Sequence, residues 1–215
     1  MSEPIILAAD TCFGACSAAV VQGGSTLSHA NEAMERGHAE ALAPMVDAVV
    51  RKAGISFAEL DRLAVTVGPG SFTGQRVGLA FMRGMRVALK KPLIGVTSLA
   101  AMAERARRES GASTAAAVHD AKRGEIYMEA VGISALSARV SPFAEARAEL
   151  AKVSDLALTG TAAARLAREI GVARVIVADS PDAIWVGRLA AQIESSLPPR
   201  PLYLRAPDAR LPMER

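Results

Sequence analysis

The chain has 215 residues, 51% of them hydrophobic and 22% charged, which suits one large domain or two small lobes of a globular protein. Aromatics are only 4%, so the core must come from Ala, Val, Leu and Ile, and base stacking on nucleic acid has few platforms. A net charge of +3 with a pI near 9.1 suits tRNA or an acidic protein as partner without demanding either.

The elements follow in chain order. Short strands are predicted at 5–9, 15–21 and 26–30, separated by Gly14 and Gly23-Gly24 as in an antiparallel meander. A helix at 38–53, a strand at 62–67 and a helix at 73–90 come next, then the strand "PLIGV" and a helix at 98–109. The second half repeats that order. Strands are predicted at 114–119, 125–132 and 136–142, a helix at 144–152, and a strand at 155–159. A helix at 161–170, a strand at 174–177 and a helix at 182–196 complete it. The order βββαβαβα in both halves predicts mixed sheets with helices on their faces. Two such lobes, 1–110 and 111–215, describe an α/β fold of the actin-like (ASKHA, ribonuclease H-like) kind. The tail "LPPRPLYLRAPDARLP" is too rich in proline for a helix and is expected to lie extended across a lobe.

Cys12 and Cys16 sit four apart, neither a C-x-x-C pair nor half of a zinc site, so buried reduced thiols are expected. The N-terminus "MSEPIILAAD" has no basic n-region, and no run approaches the ~20 apolar residues of a membrane helix. A cytoplasmic location without a membrane partner is expected.

The stretch "VTVGPGSFTGQRVGLAFMRG" at 65–84 breaks a strand at glycines and reopens as a helix. Gly68, Gly70 and Gly74 allow a tight turn, and Ser71 or Thr73 can cap the helix. A helix start can bind an anion. A P-loop, however, needs lysine after its last glycine, and here Gln75 and Arg76 follow. Spacing alone favours a packing turn over a phosphate loop. The second candidate is "AADTCFGACSAAV", where Asp10 ends a strand before a small-residue hairpin, as in actin-like phosphotransferases. Asp10 and Thr11 can equally form an Asx-type turn. The matching place in the second half reads "VHDAKRGEIY", with Lys122 and Arg123 where small residues would be needed. At most half a nucleotide site is expected. His29, His38 and His119 have no metal-ligand spacing, and Ser71 has no spacing-based histidine partner.

The helices at 38–53 and 73–90 carry more apolar surface than one ~100° stripe requires. Leu42, Val46, Val49 and Val50 are expected on the first sheet-facing face, with Val77, Phe81 and Met85 on the second. The mixed faces read as an interface: His38, Met45 and Lys52, with Leu79, Met82, Arg83 and Arg86. Deep burial between sheet and second lobe is the alternative.

Together "AADTCFGACSAAV", "GPGSFTGQRVGLA", "GVTSLAAMA", "DAKRGEIYMEA" and "PLYLRAPDARLP" closely resemble the TsaB (YeaZ) family over nearly the whole chain. The resemblance implies a noncatalytic partner of the TsaD subunit in making threonylcarbamoyladenosine at position 37 of tRNAs that read ANN codons. It implies a homodimer when alone, or docking on TsaD, through first-lobe helices. A TsaE-type ATPase and tRNA would be met through that complex, with no cofactor beyond a nucleotide at a complex interface. The H-x-x-x-H metal motif of TsaD is missing here, where "HAEAL" puts Leu42 four residues after His38. On this resemblance the glycine turn is an inherited piece of a phosphate-binding fold, kept because it starts the docking helix. The competing reading is an independent actin-like phosphotransferase or acyltransferase using Asp10 and Thr73. A peptidase, as older naming of the family suggests, finds no nucleophile–base pair.

Overall fold

A computed structural model describes residues 3–194 and 198–205. The first half runs β1 (Ile5–Asp10), β2 (Ala15–Gln22), β3 (Ser25–Ala33), α1 (His38–Lys52), β4 (Arg62–Thr66), α2 (Phe72–Leu89), β5 (Leu93–Val96) and α3 (Ser98–Ser110). The second runs β6 (Thr114–Asp120), β7 (Glu125–Gly132), β8 (Leu136–Pro142), α4 (Phe143–Leu150), β9 (Leu156–Thr159), α5 (Ala163–Ile170), β10 (Arg174–Ile176) and α6 (Ala183–Ala190). The repeated βββαβαβα order is therefore real. The pattern misses a 3-10 turn at Phe57–Glu59, closed by a capping box between Ser56 and Glu59. The expected last helix also stops early, at Ala190, and 195–196 of its range lie outside the described residues.

Each half forms one five-stranded sheet, ordered β3-β2-β1-β4-β5 and β10-β9-β6-β7-β8. The hairpin strands pair antiparallel, while β1, β4 and β5 are parallel, as are β6, β9 and β10. Alternation along β1 explains its two buried faces. Leu7 and Ala9 join Val46, Val49 and Leu79 from α1 and α2. Ile6 and Ala8 point the other way, onto Ala183, Val186 and Ala190 of α6. Gly187 is what lets α6 lie so close, since a Cβ there would come 2.6 Å from the Val21 side chain.

Packing thus crosses the sequence boundary at 110/111. The last helix of the second half covers the first sheet. The last helix of the first half, α3, packs on the second sheet through Ala103 and Ala106 against Ala117, Ala115 and Ala157. His29 on β3 pairs with Asp182, which also caps α6 by accepting from Ile184 N–H at 2.8 Å.

Residues 198–205 have no regular structure, as expected, but they do more than lie on one lobe. Leu202 N–H donates to the Val67 carbonyl at 2.7 Å, and Arg205 donates to the Ala121 carbonyl at 2.7 Å and pairs with Glu125. The segment straps the two halves together, and 197 and 206–212 of the expected tail lie outside the described residues. Cys12 and Cys16 are both buried and free. Among the described residues, no helix is long and apolar enough to cross a membrane.

Candidate functional site

Parallel pairing brings the C-terminal ends of β1 and β4 side by side, where ligands of α/β sheets commonly bind. Asp10 ends β1 and is fully buried. Its Oδ1 accepts from Thr66 Oγ1 at 2.5 Å and from Cys12 N–H at 3.1 Å. Its Oδ2 meets no donor among the described residues. Burial raises the Asp10 pKa to about 7, against the lowering effect of the Thr66 and Cys12 bonds. The Cys12 thiol, beside Thr66 at 3.2 Å, is pushed well up by the same burial, so it is no thiolate nucleophile.

The glycine turn lies against this strand end. Ser71 N–H donates to the Cys12 carbonyl at 2.7 Å, and Ser71 Oγ caps α2 by accepting from Gly74 N–H at 3.0 Å. Thr11 Oγ1 donates to the Gly74 carbonyl at 2.7 Å. A Cβ on Gly70 would overlap the Cys12 carbonyl, and one on Gly74 would overlap that of Thr11. A Cβ on Gly78 would come 2.6 Å from Thr11 Oγ1. These glycines are therefore needed for the approach of α2 to the β1–β2 hairpin. A phosphate cradle points N–H groups outward; here the Ser71 N–H is bonded to the chain itself. Of the expected loop residues, Asp10, Thr11, Gly70, Ser71 and Gly74 come together. Gly68 adjoins them, accepting from Ser98 N–H at 2.9 Å with a left-handed φ of 108°. Thr73 is exposed.

Across from this hairpin stands the β6–β7 turn. Lys122 and Arg123 adopt φ of 66° and 56° there, and Lys122 N–H donates to Asp120 Oδ1 at 2.8 Å. Phe13, at the tip of the first hairpin, stacks on His119 at the end of β6, with centroids 4.1 Å apart and planes at 29°. Burial holds the His119 pKa below the usual histidine value, with Asp179 and Asp120 acting the other way. His38 Nε2 lies 3.3 Å from the Phe13 carbonyl. No three His, Cys, Asp or Glu side chains form a metal-holding group among the described residues. Sequence reasoning missed the Phe13–His119 pair, because nothing local marks two residues that far apart as partners.

The expected sorting of helix faces needs correction. Met45, Leu79 and Met82 are buried in this chain's own core, together with Leu42, Val46, Val49 and Val50. His38 is buried against Phe13. Conversely Val77, Phe81 and Met85, expected in the core, are only half-buried. The close approach at Gly74 and Gly78 forms one edge of the buried stripe, which runs on through Gln75, Leu79 and Met82 and leaves Val77, Phe81 and Met85 at its margin. Lys52, Arg83 and Arg86 are exposed as expected, and Arg83 donates to the Pro199 carbonyl at 2.5 Å.

The family model described as TsaD, tRNA N6-adenosine threonylcarbamoyltransferase, matches residues 29–196. The chain belongs to this family. Within it the likeness is to the TsaB (YeaZ) members. The tRNA threonylcarbamoyladenosine biosynthesis protein TsaB of Escherichia coli K12 is 39% identical over 122 residues, 57% of this chain and 52% of that protein. The matched segments span about half the length of the curated TsaB relatives. A Pseudomonas aeruginosa crystal structure, described as similar to peptidase YeaZ, superposes with a TM-score of 0.75. It is 28% identical and covers 95% of this chain and 100% of its own. The two-lobed, actin-like TsaB fold extends to component A of the Acidaminococcus fermentans (R)-2-hydroxyglutaryl-CoA dehydratase. That protein has a TM-score of 0.53 and 11% identity, over 87% of this chain and 98% of its own. In this TsaB-like chain Leu42 is 1% exposed, so the α1 position four residues after His38 faces the core.

Proposed function

We propose that this chain is a noncatalytic scaffold subunit of the complex that forms N6-threonylcarbamoyladenosine at position 37 of tRNAs reading ANN codons. It binds and supports the catalytic TsaD subunit. The observation that carries this reading is the Phe13–His119 stack. It bridges the two hairpins between which an actin-like enzyme grips nucleotide phosphates, while the glycine turn packs on Thr11 and Cys12 instead of opening toward a ligand.

The docking face is the outer side of α2, where Val77, Phe81 and Met85 stay half-exposed beside Arg86. Alone in the cytoplasm the chain covers that face with a second copy. A TsaE-type ATPase and tRNA are reached through the complex, and nucleotide enters only at an interface of it. The decisive experiment is to mix the protein with the TsaD of the same cell and measure the mass of the complex. Separate elution of the two would overturn the reading.

One observation favours a second reading, an independent phosphotransferase or acyltransferase: Asp10 Oδ2, which has no donor among the described residues. Calorimetric titration with ATP separates the two, and turnover that disappears in Asp10→Ala would establish the enzyme. A peptidase has less support, since Ser71 and Ser98 commit their hydroxyls to Gly74 N–H and to the Pro69 carbonyl.

A further inference from the structure

Phe72 opens α2 with 55% of its surface exposed, and Tyr203 on the strap is 47% exposed. Arg76 links them. Its guanidinium carbon lies 3.4 Å from the Phe72 ring centroid and 6.0 Å from that of Tyr203. Its Nε donates to the Tyr203 hydroxyl at 3.1 Å, and the two rings stand 6.0 Å apart at 30°. The cluster is fixed from behind by the bonds of Leu202 to Val67 and of Arg83 to Pro199. A large aromatic left on the surface normally loses little by moving, yet these two are held in a defined stack.

From the stack the chain leads straight into cations. Arg200 is exposed just before it. Arg205 follows, bonded to Ala121, which precedes Lys122 and Arg123. The Lys122 side chain is 83% exposed. Glu125 is held by Arg205, and Asp120 lies 3.8 Å from Lys122. Leu202 and Leu204 are half-buried and Arg205 is taken up by Glu125 and Ala121, so the strip shows solvent the two rings, Arg200 and Lys122.

We infer that this strip is a direct contact surface for RNA, with an unpaired base stacking on the Phe72–Arg76–Tyr203 cluster and phosphates running along the exposed Arg200 and Lys122. Exposed rings and planar guanidinium groups are what splayed bases stack on, and lysine and arginine supply the phosphate contacts. Arginine–aromatic patches also anchor proteins. Here the patch continues into cations rather than exposed aliphatic side chains, which fits a phosphate chain better. The inference rests on the proposed place in tRNA modification and adds a contact made by this chain itself.

The test is fluorescence anisotropy of the full chain with a labelled ANN-reading tRNA transcript and with a ten-nucleotide single-stranded RNA. Phe72→Ala and Tyr203→Ala should each weaken binding on the order of tenfold and leave its salt dependence unchanged. Lys122→Ala should lower the slope of log K against log salt by about one. Thermal melting should be unaltered in Lys122→Ala and fall only slightly in the two aromatic variants, whose rings are about half exposed. Wild-type protein that ignores both RNAs, or aromatic variants that bind them normally, overturns the inference. So do aromatic variants that lose only TsaD binding, which would assign the strip to a protein. Co-elution with TsaD is read on the same samples. A chain that joins TsaD yet ignores RNA refutes this surface alone, and one that binds RNA through the strip but never joins TsaD refutes the scaffold alone.

Discussion

Gly74 passes so close to Thr11 that a Cβ on it would overlap the Thr11 carbonyl oxygen, which in turn lies on rigid strand-end backbone. Ten residues along the same helix, Gly84 has nothing among the described residues within 4 Å of the same position. The two should respond oppositely to alanine. Gly74→Ala overpacks a backbone contact and should cost about 2–3 kcal/mol. Gly84→Ala only removes the flexibility of glycine in a helix and should gain about 0.5–1 kcal/mol. Urea denaturation of both variants checks this, and equal effects would mean that α2 does not need its glycines for close approach.

Asp10 should make stability fall as pH rises. Its folded pKa, about 7, lies above the ordinary 3.8, so the folded chain keeps a proton that the unfolded chain has released. The contribution is most favourable below pH 3.8, declines as pH climbs to about 7, and is level beyond. Asp10→Asn keeps an acceptor for Thr66 and Cys12 but does not titrate. Wild-type stability relative to that variant should therefore drop by on the order of 3–4 kcal/mol across this window. Parallel curves in denaturant from pH 4 to 8 would show that Asp10 ionises normally.

Most of the fold is legible in the sequence because turn glycines and hydrophobic runs mark most strands and helices. What sequence hides is depth. A wheel ranks residues by hydrophobic size, so it turns Phe81 inward and leaves Met82 for a partner, yet the buried stripe runs through Gly74, Gln75, Gly78, Leu79 and Met82. Met45 falls three residues after Leu42 and four before Val49, on the core stripe, and its type alone suggested an interface. The candidate site was half visible. Asp10, Thr11 and the glycine turn announce themselves locally, whereas Phe13–His119 and Arg76–Tyr203 depend on how the halves and the strap come together.

Removing the Phe13 ring should expose His119. Burial is the largest cause of its lowered pKa, so Phe13→Ala should move the His119 titration midpoint upward toward 6.5. The lost stack should also cost about 0.5–1.5 kcal/mol beyond the buried area. Proton NMR titration of the imidazole in both proteins decides it. A midpoint that does not move would mean that the ring does not keep water from His119.

The helix faces yield the sharpest contrast between folding and association. Met82 is fully buried between α2 and its sheet, and Met45 is nearly so. Glutamate at either place would carry a charge into a core without a partner, costing about 4 kcal/mol or more. Met82→Glu and Met45→Glu should therefore unfold the first half. Phe81 and Met85 lie one turn apart on the half-exposed face of the same helix, at the margin of that core. A glutamate there can reach water in the free chain, so folding should lose only about 1–2 kcal/mol. In a dimer, or against TsaD, the same charge would be shut between two apolar faces, and association should weaken at least tenfold. Melting curves and size-exclusion with the partner, run on all four variants, separate the two effects. Phe81→Glu and Met85→Glu that associate like wild type would remove the outer face of α2 from the interface. Stable folding of Met82→Glu would show that the helix can turn its other side to the sheet.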